Sequence, residues 1–63
     1  MATFAELVAE ERSTFERSPD WELAAVVKAL TMFPWMNGPE QKARLQAVRA
    51  IQRQRRARRR EES

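Results

Sequence analysis

Cysteine and histidine are absent from the 63 residues. The first absence excludes disulfides, thiolate metal sites and a thiol nucleophile. The second removes the usual general base near neutral pH and the commonest metal ligand. Tyrosine is missing too, and glycine occurs once, at Gly38. Strands therefore have little to start from, since no sustained polar–apolar alternation compensates. No glycine-rich loop exists to cradle a phosphate. The adjacent acids Glu10–Glu11 and Glu61–Glu62 diverge around a helix and form no carboxylate dyad. These gaps point away from an enzyme, a cofactor, a bound metal and a small-molecule substrate. No apolar run approaches the ~20 residues of a membrane span, and the N-terminus is acidic where a leader would be basic. A soluble cytoplasmic protein without a membrane partner is expected.

What is present is helical sequence with clear punctuation. Thr3 and Glu6 stand at capping-box spacing, so a first helix is expected from about Phe4 to Arg17. Phe4, Leu7, Val8 and Phe15 share one face of it. Glu11 interrupts that face, which is tolerable near its edge or opposite a basic partner. Ser18-Pro19-Asp20 restarts the chain, with serine as the cap and proline in the first turn of a helix ending near Phe33. Leu23, Val26, Val27, Leu30 and Phe33 lie on one side of this second helix. Trp21, Ala25 and Met32 lie on the other, with only Lys28 breaking the row. A helix apolar on two sides is expected at the centre, paired with its neighbour as an antiparallel hairpin, with a second chain as one occupant of its outer face. Asn37-Gly38-Pro39 then opens a third helix that nothing stops before the chain ends.

The fold class expected is all-α: a small three-helix domain with an extended basic C-terminal helix, able to form a helical homodimer. Sixteen larger apolar side chains fall between Phe4 and Ile51 and none beyond. So small a core makes an isolated chain marginal and favours a homo-oligomer or a partner. Residues 1–51 are thus the helical core domain and residues 52–63 an arginine-rich helical extension.

Charge is divided in the same place. Seven of the twelve basic residues lie from Arg49 to Arg60, against Glu61 and Glu62 alone, whereas the first 48 residues hold five bases and seven acids. Ten of the twelve bases are arginine, the residue suited to bidentate pairing with phosphate. On the third helix Lys42, Arg49, Arg53, Arg56 and Arg60 project within an arc of about 60°. Arg55, Arg58 and Arg59 point elsewhere, so the end of the helix is basic all round. The segment Arg49–Arg60 resembles, in composition, the arginine-rich helical motifs of small viral and phage RNA-binding peptides.

The leading expectation is a non-enzymatic nucleic-acid-binding or regulatory protein, for DNA or RNA, using Lys42, Arg49, Arg53, Arg55, Arg56, Arg58, Arg59 and Arg60 on phosphates. With packing ended at Ile51, those arginines have no use in the core; the competing expectations are a solvated helix end, or pairing with Glu6, Glu10, Glu11, Glu16, Asp20 and Glu22 of the same or a neighbouring chain. No helix-turn-helix spacing is visible, so backbone contact is favoured over base reading. The alternative is a protein-interaction module (an adaptor, inhibitor or assembly subunit) meeting an acidic protein surface. Its partner or dimer face would be Trp21, Ala25 and Met32 together with Trp35 and Met36. The competing structural role of Phe33 and Trp35 is a lid folded back over the small core, and this is the more expected of the two.

Overall fold

The computed structural model describes residues 2–62. The chain is all-α, with helix α1 at Phe4–Phe15, α2 at Asp20–Met32 and α3 at Pro39–Glu62, and a single 3-10 turn at Pro34–Met36. Thr3 caps α1 as its spacing predicts: the Glu6 backbone N–H donates to Thr3 Oγ1 at 3.2 Å. The helix stops at Phe15, short of Arg17, where the Ser18 N–H turns back to the Phe15 carbonyl at 3.1 Å.

The start of α2 corrects the expected serine cap. Pro19 occupies the N-cap with an extended ψ of 159°, so the helix begins one residue later and Ser18 falls outside the capping position. Proline offers no side-chain acceptor, and Asp20 and Glu22 supply the negative charge of the first turn instead. At the other end Phe33 leaves helical geometry (φ −131°, ψ 70°) because it precedes Pro34. Asn37 then reaches back, its Nδ2 donating to the Leu30 carbonyl at 2.7 Å. That bond satisfies one of the carbonyls a helix end leaves open. Gly38 precedes α3 as its cap: its N–H donates to Gln41 Oε1 at 3.0 Å and its carbonyl accepts from the Lys42 N–H at 3.0 Å. Pro39 takes the first helical position. The resulting helix of 24 residues is about 36 Å long.

This third helix is the spine. Both α1 and α2 pack on α3, α1 the more extensively, rather than forming a hairpin against which α3 crosses. The expectation of a central second helix is thereby corrected. The reason lies in the buried residues. Among the described residues, four of the five buried apolar side chains, Ala43, Ala47, Val48 and Ile51, belong to α3, and α2 contributes only Leu23. Alanine at two fully buried positions lets a neighbouring helix approach the α3 backbone closely. Leu23, Val48 and Ile51 form the core, flanked by Phe15, Val26 and Val27. The molecule measures 40 × 26 × 15 Å along its principal axes. A slab about one and a half helix diameters thick leaves each helix a solvent face. Ile51 is the last buried residue, the limit its sequence position suggests. No helix among the described residues is long and apolar enough to cross a membrane.

Candidate nucleic-acid interface

The arginines of α3 divide by what they meet. Arg44 faces α1, where its Nε donates to Glu11 Oε2 at 3.0 Å and its Nη2 to Oε1 at 3.3 Å. The same guanidinium lies 5.9 Å from the centre of the Phe15 ring, one turn further along α1. Glu11, which breaks the apolar face of its helix, thus has the basic partner such a position needs. Its hydrogen bonds raise the Arg44 pKa further, with desolvation opposing. Arg55 reaches the α1–α2 turn, donating from Nη1 to Asp20 Oδ1 at 2.7 Å and from Nη2 to the Glu16 carbonyl at 3.0 Å. Glu16 is the C-cap of α1 and Asp20 the first residue of α2. One guanidinium therefore ties the negative end of one helix dipole to the acid opening the next. Arg59 completes the clamp through its Nη2 on Asp20 Oδ2. Hydrogen bonds from Arg55 first, then Arg59, hold the Asp20 carboxyl below the usual aspartate range.

Arg55 and Arg59 therefore have an intramolecular use on Asp20, one of the carboxylates that compete with phosphate for them, and not the phosphate contact of the leading expectation. The error has a physical source: packing ends at Ile51, but α1 and α2 meet beside the next two turns of α3 and present a carboxylate there. Arg58 also lies on this side, around a hollow lined by Arg12, Glu16 and Gln54, and Arg12 Nη2 donates to Gln54 Oε1 at 3.1 Å.

The remaining cations form the stripe. Lys42, Arg49, Arg53 and Arg56 have no hydrogen-bond or ion-pair partner among the described residues. All four line one open groove with Phe4 of α1, Val27 of α2 and Leu45, Gln46 and Gln52 of α3. Arg60 follows at the next position of the same row. The groove thus has an apolar floor and a cationic rim along about 21 Å of helix. Phe4, Val27 and Leu45 were not legible as its floor, because only tertiary contact brings three elements to one place. The amide pair Gln46 and Gln52 adds neutral donors beside the guanidiniums.

The aromatic loop does not cover the core. Phe33 is 49% exposed, Trp35 76% and Met36 72%, and the two rings meet each other edge to face at 5.6 Å. The lid expectation is overturned because the core is centred on Val48 and Ile51, roughly 14–18 Å along α3 from its start at Pro39. Trp21 (73%) and Met32 (56%) are exposed as well, as is Ala25. No group of His, Cys, Asp or Glu able to hold a metal occurs among the described residues. Comparison of the chain with protein-family models, with curated proteins and with solved structures finds no match.

Proposed function

We propose that this chain is a small non-enzymatic nucleic-acid-binding protein that lays the Lys42–Arg49–Arg53–Arg56 row along a phosphate backbone. The observation that carries the reading is the sorting of the cations. Arg44, Arg55 and Arg59 are matched by Glu11 and Asp20. The four row residues stand on one face beside a groove and form no ion pair among the described residues, although Arg56 shares a second hollow with Asp20. Helix stability alone asks for no such segregation, since arginine has good helix propensity on any face. A row of guanidinium forks at one- to two-turn spacing suits successive phosphates. The open groove beside it leaves the row accessible to a long polyanion.

The proposal has a quantitative signature. Neutralising about four phosphates gives a log–log salt slope near −3.6 on duplex and near −2.8 on single strands. Fluorescence anisotropy with labelled oligonucleotides between low and moderate salt measures it. Replacing Lys42, Arg49, Arg53 and Arg56 together by glutamine should abolish binding and leave helicity unchanged. Affinity that barely responds to salt, or that survives in this variant, refutes the assignment. A complex from cells that withstands nuclease would instead mark the row as steering toward an acidic protein surface.

A further inference from the structure

The largest exposed apolar surface lies away from the basic row. Trp21, Ala25, Lys28 and Met32 form one line along α2, opposite the side that carries Leu23, Val27 and Leu30, and Ala24 and Ala29 flank it. All six are exposed. Phe33, Trp35 and Met36 are exposed just past the end of the helix. The two tryptophans, about three-quarters exposed, leave roughly 350 Å² of indole open to water. Adding Met32, Phe33 and Met36 brings the exposed apolar area of this stretch of chain to on the order of 700 Å². It is close to the ~800 Å² that each partner contributes to a standard stable interface.

We infer that this face of α2 is the contact surface of a twofold-symmetric dimer of the chain, with the two α2 helices antiparallel. The order of side chains is self-complementary in that arrangement. A twofold axis crossing the helix midway between Ala25 and Lys28 sets Trp21 of one copy against Met32 of the other. It sets Ala24 against Ala29 and Ala25 against Lys28 in the same register. Large residues meet at both ends, where sulfur on an indole is a favourable contact. Small residues meet in the middle, where two helix axes must approach to about 8–10 Å. Lys28, the one charge in the line, lies over an alanine, and Glu22 of the other copy is within one turn for its ammonium. No like charges are opposed. A partner of another kind gives no reason for the sequence to match itself under reversal, whereas an isologous contact requires that match. Lys42, Arg49 and Arg53 of the basic row line the groove on the far side of α3, and the two surfaces adjoin only where Ala24 shares a hollow with Arg56.

The test uses nuclease-treated full-length protein in high salt, so that no polyanion bridges two chains. Sedimentation equilibrium should give twice the 7.4 kDa chain mass. Ala25→Arg places an arginine against Lys28 of the other copy and should halve that mass with helicity unchanged, since the position is exposed in the single chain. Register is read by cysteine, of which the chain has none. Trp21→Cys combined with Met32→Cys should oxidise to a covalent dimer. Either substitution alone should not, because the twofold leaves like positions about 16 Å apart along the axis, beyond the ~4.4–6.8 Å Cα separation of a disulfide. Single-chain mass for the wild type at about 100 μM, above the weakest affinity expected for such an area, overturns the inference. So does an Ala25→Arg protein that stays dimeric, or cross-linking by either single cysteine.

Discussion

Asp20 opens α2 and receives both Arg55 and Arg59, so a single exposed carboxylate joins the helix start to the far part of α3. The arginines hold its pKa below the ordinary value. A depressed carboxylate contributes stability above its unfolded pKa, near 3.9, and that contribution is lost as pH falls through the folded value. The wild type should accordingly melt above Asp20→Asn at neutral pH, with the gap closing as pH falls below the unfolded value. Added salt should narrow the gap at any pH, because the group is exposed and screened. Thermal melts of the two proteins across that range decide it. A gap that persists unchanged at pH 2 would mean that shape rather than charge holds the turn. Glu11 makes the contrasting case: its place on an apolar face calls for either an edge position or a basic partner, and Arg44 is that partner. Nothing local to Asp20 announced Arg55 and Arg59, since acids in a first helical turn are ordinary on dipole grounds alone.

Helix number, order and type were legible because most boundaries are written in short-range chemistry, the turn from Glu16 to Pro19 being the exception. Thr3, Pro34, Gly38 and Pro39 act within a few residues of themselves. Which helix lies at the centre was not legible, because it is settled by alanines. Ala43 and Ala47 read as neutral in a helical pattern, yet both are fully buried and make α3 the surface on which α1 and α2 pack. The richer apolar content of α2 pointed the other way and is instead left exposed at Trp21 and Met32. Enlarging one of those alanines isolates the effect. Ala47→Leu keeps a strong helix former in α3, so any loss reports packing and should be about 1–3 kcal/mol by urea titration. Ala57→Leu, on an exposed stretch of the same helix, should change stability by no more than about 0.5 kcal/mol. Equal effects at both sites would mean that α3 is not closely approached at Ala47.

Across the whole molecule, cations serve two ends that composition alone could not separate. The basic stripe was legible from 3.6-residue periodicity, since Lys42, Arg49, Arg53 and Arg56 share a direction whatever surrounds them. Its separation from Arg55 and Arg59 was not, because that depends on where a turn between two other helices comes to rest. The division makes a crossed prediction. Arg55→Gln with Arg59→Gln releases Asp20 and the Glu16 carbonyl, so the α1–α2 turn should loosen. The melting temperature should fall, and amide exchange should accelerate around residues 16–20, while the salt slope of nucleic-acid binding stays near that of the wild type. The glutamine variant of the row should do the reverse, keeping its melting temperature and losing both affinity and slope. Each pair of measurements controls the other, because a nonspecific loss of positive charge would move binding in both variants by similar amounts. Binding that falls equally in the two would return the arginines to one undivided polycation, in which position on the helix carries no meaning.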